Sequence, residues 1–352
     1  MKKVIALILT IVMCLGLAAC GNNETPDVPD SSSEQQSSEL ESLTDADSED
    51  ENSHYPVTIT NVNYNKEPVE YTYEKAPERV ITFWSNSLET MLALGLGDRV
   101  ICAVGMNEES ILPELKPELE KMKNNFEYYN DFVNSNAAMS KETAIMMEPD
   151  FILAWKSSFS DKTVGDVDYW NENGVGTYIA LNSSDVSDNR TLDNEYQDIL
   201  NIGKIFDVED KAEALVEEMK AEVKRVTDAT KDQEKKTVLV FEYLGDKIWN
   251  YDKTMLAGNM VIAMGGDLLD APSDIGKEDI INLNPDVIFV IGSTDEKLTA
   301  VTEDPALASL NAIQNGNVYL MPLSYVYTSG VRTIHGLNKI GQALYPDLYS
   351  EK

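Results

Sequence analysis

The sequence predicts an α/β protein of two similar lobes joined by one long helix, and three observations carry that reading. Short apolar runs alternate with stretches of helical periodicity. The longest helical stretch, Glu209 to about Lys231, lies near the middle of the folded part, and one sequence pattern occurs on either side of it.

The strand-like runs are Arg79–Phe83, Val100–Val104, Phe151–Ala154, Thr177–Leu181, Thr237–Phe241, Val287–Ile291 and Val318–Met321. They are apolar throughout, as strands are when helices cover both faces of a parallel sheet. Leu88–Leu94 and Asp193–Ile205 carry helical patterns between them. In the long helix Ala212, Leu215, Val216, Met219, Val223 and Val226 follow the three, four, seven spacing, and the other faces are mostly Glu, Asp and Lys. A helix of more than about twenty residues reaches about 30 Å, longer than a crossover within one lobe requires, so it reads as a strut.

The repeated pattern aligns Ser140-Lys141-Glu142-Thr143-Ala144-Ile145-Met146-Met147-Glu148-Pro149-Asp150-Phe151-Ile152 with Gly276-Lys277-Glu278-Asp279-Ile280-Ile281-Asn282-Leu283-Asn284-Pro285-Asp286-Val287-Ile288. Each copy reads as a short helix with a glutamate in its first turn, then Pro-Asp and a buried strand. For either glutamate alone, complementarity to the helix dipole is a sufficient explanation. Equivalent placement on both lobes makes Glu142 and Glu278 candidates for a shared surface role.

Ahead of the lobes, Lys2 and Lys3 precede an apolar run from Val4 to Leu17 and then Leu17-Ala18-Ala19-Cys20-Gly21. This reads as a leader, residues 1–20, cleaved before a Cys20 that takes up acyl chains and holds the protein on the outer face of the cytoplasmic membrane. The run is short for a membrane span. Residues 21–54 hold eleven acids and neither Lys nor Arg, with few large apolar side chains, and read as a disordered acidic tether. The organisation expected is therefore tether 21–54, first lobe 55–207, connecting helix 208–232 and second lobe 233–352. Cys102, the one cysteine of the lobes, sits in an apolar strand and reads as buried.

The whole chain has 352 residues with 61 acids against 28 bases, and removing leader and tether leaves 50 acids and 26 bases, a net charge of −24. That field opposes binding to nucleic acid and adsorption to anionic lipid. His54 and His335 are the two histidines, which excludes any centre built from clustered imidazoles. P-loop, dinucleotide-binding and Gly-x-Ser-x-Gly motifs are absent, and no thiol–histidine or serine–histidine arrangement is evident, so an enzyme is not expected. Gly174-Val175-Gly176 falls between helix and strand, where a glycine helix stop accounts for it.

Ala76-Pro77-Glu78-Arg79-Val80-Ile81-Thr82, then Leu88-Glu89-Thr90-Met91-Leu92-Ala93-Leu94-Gly95-Leu96-Gly97-Asp98-Arg99-Val100, resemble the opening of substrate-binding proteins of iron-siderophore, haem and vitamin B12 ABC importers. The two Lys-Glu…Pro-Asp segments, Met264-Gly265-Gly266-Asp267 and Asn315-Gly316-Asn317-Val318-Tyr319-Leu320-Met321-Pro322 continue the resemblance, which runs from about Tyr55 to Tyr349. It implies the helical-backbone fold of that family, two three-layer α/β lobes with the ligand in the cleft between them. It also implies docking of Glu142 and Glu278 onto permease arginines, an ATPase partner and a monomeric state. A sensor or adhesin lipoprotein is the alternative.

In an open α/β sheet the ligand edge lies beyond the strands' carboxyl ends. That rule nominates Trp84, Ser85, Trp155, Lys156 and Tyr243, with Trp249 and Tyr251 in a following hairpin, and Tyr325, Tyr327 and Arg332 after the last strand. Such an aromatic edge suits a bulky, partly apolar chelate or macrocycle. No resident cofactor or metal is expected. The expected cargo is a ferric siderophore first, a corrinoid second and haem third, with His335, Tyr325 and Tyr327 as the groups available to a haem iron.

Overall fold

The computed structural model describes residues 53–350 apart from 107, 123–125, 130, 131, 134, 135, 138, 184 and 185, with backbone alone at 132, 133, 136 and 137. The leader, Cys20 and the tether as far as residue 52 lie outside the described residues.

Val57–Val62 (β1) and Pro68–Tyr73 (β2) open the fold as an antiparallel hairpin. Its strands alternate between more and less buried positions, which is why a search for continuous apolar runs passes over it. Val80–Phe83 (β3) runs into Trp84–Ala93 (α1), followed by Val100–Val104 (β4), Lys116–Met122 (α2) and Glu127–Tyr129 (β5). After a ribbon of Phe132–Val133 (β6) and Asn136–Ala137 (β7) come Lys141–Met146 (α3), Phe151–Ala154 (β8), Val167–Glu172 (α4) and Gly176–Ile179 (β9). Five of these strands form a sheet ordered β5-β4-β3-β8-β9, parallel throughout. Gly174, at φ 78°, supplies the left-handed turn that ends α4.

Leu192–Ile205 (α5) and the 22-residue Glu209–Thr230 (α6) lead to the second half. There Thr237–Leu244 (β10), Lys247–Asn250 (β11), Leu256–Ala263 (α7), Asp267–Leu268 (β12), Asp274–Ile275 (β13) and Lys277–Leu283 (α8) precede Val287–Ile291 (β14), Asp295–Thr302 (α9), Asn311–Gln314 (α10), Val318–Met321 (β15) and Thr333–Leu344 (α11). This sheet is ordered β13-β11-β10-β14-β15, with β12 beside the start of β10. β10, β14 and β15 are parallel, whereas β11 returns antiparallel to β10 through Gly245-Asp246, with Gly245 at φ 61°.

Successive strand residues point to opposite faces, and both faces of both sheets are buried. Val80, Phe151, Leu153 and Tyr178 of the first sheet share one cluster with Val238, Val240, Val287 and Phe289 of the second. Ala212, Val216, Met219 and Val226 of α6 belong to that cluster, as the helical spacing requires. Ile81, Phe83, Ile152 and Ile179 enter a separate cluster on the outer face of the first sheet, and Leu239, Phe241, Ile288 and Val290 do so for the second. The result is two helix–sheet–helix lobes around the backbone helix. Glu222, on a helix face expected to be solvated, is buried and accepts from Arg225 Nε at 2.9 Å and from the Tyr349 hydroxyl.

A segment from the second half also inserts into the first. Buried Glu195 of α5 accepts from the backbone N–H of Ser329 at 3.0 Å and of Gly330 at 2.5 Å, and burial holds its carboxyl above the usual carboxylate range. Among the described residues no helix is long and apolar enough to cross a membrane.

Candidate functional site

Beyond the carboxyl ends of β3, β8, β10, β14 and β15 lies a cavity of about 550 Å³ lined by residues of both lobes. That volume is within the usual range for small-molecule sites, ~300–1,000 Å³. Its position follows from the parallel strands, whose ends deliver their connecting loops to one edge.

Two indoles form one wall. Trp84 and Trp155 stack with centroids 4.9 Å apart and planes 26° from parallel, and Tyr327 leans on Trp155 at 5.7 Å. Trp155 Nε1 donates to Asn86 Oδ1 at 3.2 Å, which fixes the ring. Trp84, expected in a loop, is instead the first residue of α1 and holds φ at 69°. Left-handed backbone is costly for a bulky side chain, on the order of 1–3 kcal/mol, and persists here under the constraint of the stacked rings.

The charged groups at the cavity are partnered. Arg332 is 7% exposed and makes a bidentate pair with fully buried Glu89, Nε to Oε2 at 2.5 Å and Nη2 to Oε1 at 2.7 Å. It also donates to Ser324 Oγ at 2.9 Å and to the Ser110 carbonyl. The expected anion partner thus has its charge met from behind by a carboxylate, because burying a guanidinium without one is prohibitively costly. Lys297 Nζ donates to the Tyr243 carbonyl at 2.7 Å, and Glu242 accepts the Tyr251 hydroxyl at 2.8 Å. Arg332 is thus ion-paired, whereas Lys297 and Glu242 each meet a neutral partner.

Of the ten residues nominated from the sequence, Trp84, Ser85, Trp155, Tyr327 and Arg332 line the cavity. Tyr243 and Tyr251 stand behind it as supports for Lys297 and Glu242, and burial raises the Tyr251 phenol well above its usual value. Trp249 lies in β11 opposite Glu242. Lys156 is not in the lining; its ammonium sits 4.7 Å from the Tyr64 ring. Tyr325 is also outside, stacked on His335 at 5.5 Å, while His335 Nε2 contacts Glu114 Oε1 at 2.8 Å. Ser293, Thr294 and Lys297 line the cavity without having been nominated. They follow β14, so the strand-end rule applied to that strand as well would have found them.

Glu142 and Glu278 are exposed in the first turns of α3 and α8, and each is followed three residues on by an exposed isoleucine, Ile145 or Ile281. The Glu142 carboxyl is held below its usual value by its own backbone N–H and the Ser140 hydroxyl.

The periplasmic binding protein family model matches residues 140–325. A periplasmic binding protein from Veillonella parvula DSM 2008 superposes with TM-score 0.76 and is 33% identical, covering 84% of this chain and 93% of its own. The ABC transporter substrate-binding lipoprotein YvrC of Bacillus subtilis is 26% identical over 98% of this chain and 97% of its own. The petrobactin-binding protein YclQ of the same organism is 26% identical over 94% of each. With the family match spanning more than half its length, the chain belongs to the periplasmic binding protein family, a family of transport substrate-binding proteins and not of enzymes.

Proposed function

We propose that this protein captures a bulky metal chelate of low net charge in the interlobe cavity and delivers it to an ABC permease and its ATPase. The observation that carries the reading is an aromatic wall beside an arginine whose charge is already met by a buried carboxylate. A strongly anionic guest would find Arg332 already paired with Glu89 and would meet the Glu242 carboxylate in the lining, with Lys297 as the other lining cation, so much of its lost hydration would go unreplaced. Among ferric siderophores this favours hydroxamates, whose arms neutralise the iron charge, over catecholates, whose complexes stay anionic. A corrinoid, also large and weakly charged, is the second reading, and the stacked indoles favour it. Haem ranks third, since His335 and Tyr325 are committed to each other away from the cavity and Tyr327, which lines it, leans its ring on Trp155.

In the same reading the leader is cleaved off before Cys20, Cys20 carries the lipid anchor at the outer face of the cytoplasmic membrane, and the acidic tether holds a monomer clear of the bilayer. Tryptophan-fluorescence titration with a ferric hydroxamate, a ferric catecholate, cobalamin and haemin tests the cargo. The hydroxamate or cobalamin is expected to bind at least about tenfold more tightly than the catecholate. Removing either Trp84 or Trp155 should weaken that binding by ~1–3 kcal/mol. Preferential binding of the anionic catecholate would overturn the charge argument.

A further inference from the structure

Away from the cavity, the first residues of the folded part lie against the turn between α5 and α6. Tyr55 donates its hydroxyl to the Ile205 carbonyl at 2.8 Å, and His54 Nε2 lies 2.8 Å from the Lys204 carbonyl. Both carbonyls belong to the last turn of α5, which otherwise leaves them without helical partners. A carbonyl only accepts, so His54 Nε2 donates to it and Nδ1 faces the other way. That nitrogen faces Asp207 Oδ1 at 3.4 Å and Glu209 Oε1 at 3.3 Å.

Nδ1 and the two carboxylates therefore converge, with their atoms all within 4.8 Å of one another. A first-row divalent cation with bonds of about 2.0–2.2 Å sets neighbouring ligand atoms roughly 3.0–3.5 Å apart, and both distances from Nδ1 fall in that range. The carboxyl end of α5 and the amino end of α6 meet here with opposite partial charges, which leaves the two carboxylates as the net field.

We propose that His54 Nδ1, Asp207 and Glu209 bind one zinc-class divalent cation, with solvent completing its coordination, at a site separate from the cargo cavity. One imidazole nitrogen and two carboxylate oxygens form a borderline donor set, and the Lys204 carbonyl plays the orienting role that metal-bound histidines ordinarily require. Histidine and carboxylate side chains are 19%, 58% and 38% exposed, so the cation reaches the site from solvent. Bound there, it clips the residue at which the tether meets the fold to the head of the connecting helix, some 150 positions later.

The test is titration of the full-length chain in detergent with zinc, and separately with cobalt as an absorption probe, in excess magnesium. His54→Gln, Asp207→Asn and Glu209→Gln serve as comparisons, and His54→Gln also subtracts zinc taken up elsewhere on the chain. The wild type is expected to take one equivalent more than His54→Gln and to show a cobalt d–d band that this variant lacks. It should also melt at a higher temperature with zinc, and each carboxylate variant should weaken the site roughly 10-fold or more. Equal zinc uptake by wild type and His54→Gln would overturn the proposal. So would weak, multiple-equivalent uptake that magnesium displaces, or an imidazole NMR signal that stays protonated and ignores zinc.

Discussion

The two copies of the Lys-Glu…Pro-Asp unit differ at their helix starts and agree at their ends. In α3 the Ser140 hydroxyl accepts the Thr143 N–H at 3.1 Å, whereas ahead of α8 Gly276 has no side chain and Asp279 reaches back to the Gly276 N–H at 2.8 Å. Beyond the helix the chemistry converges. Glu148 and Asn284 both take left-handed backbone, at φ 49° and 43°, immediately before the proline. Asp150 then accepts the N–H groups of Glu78 and Arg79, and Asp286 accepts the N–H and hydroxyl of Thr237. In each lobe the repeated aspartate ties the new strand to the start of the sheet's central strand. The comparison teaches that the unit is specified by its turn and tie, while its cap is free to vary.

If the two copies are equivalent at the surface too, reversing both Glu142 and Glu278 to Lys should abolish uptake while ligand affinity stays unchanged, because each glutamate is exposed and remote from the cavity lining. Transport assays beside binding titrations check this, and full uptake by the double variant would remove the docking role. Next in size are the ties. Asp286→Ala should lower stability by ~1–3 kcal/mol in urea denaturation, since it leaves the half-buried Thr237 donors without an ionised acceptor, and Asp150→Ala by less, ~0.5–1.5 kcal/mol, since its donors Glu78 and Arg79 are exposed. Equal losses would show that the two lobes depend on their ties alike. The smallest effect sharpens the comparison. Glu148→Gly should stabilise by up to about 1 kcal/mol, as glycine accepts positive φ without strain, while Asn284→Gly should gain less because asparagine already tolerates it. In Asn284 the side chain also accepts the Asn311 N–H at 2.9 Å, which the substitution would remove.

The repeat was legible because each copy carries its information within a short stretch, and the long helix was legible because α6 keeps an apolar spacing from Ala212 to Val226, though buried Glu222 interrupts its inner face. Cavity residues were legible to the extent that strand ends aim them: Trp84, Trp155 and Tyr327 follow their strands closely. What was not legible is pairing at long range. No spacing rule connects Glu89 with Arg332, yet that contact meets the charge of the arginine from within the protein. Nor does periodicity reveal that Lys156 turns toward Tyr64, or that His54 belongs to the fold rather than to the tether. Such contacts are set by tertiary packing, which local pattern does not encode.

The stacked indoles have an optical consequence. Excited states of two parallel aromatic chromophores at 4.9 Å couple, so Trp84 and Trp155 should contribute a paired circular-dichroism signal distinct from that of isolated indoles. The chain has four tryptophans, which places half of its indole absorption in the cavity wall. A guest that slides between the rings, or tips one of them, would change the sign pattern of that signal, while a guest that rests against them would change only intensity. The wall therefore reports how its cargo is seated, without any added label.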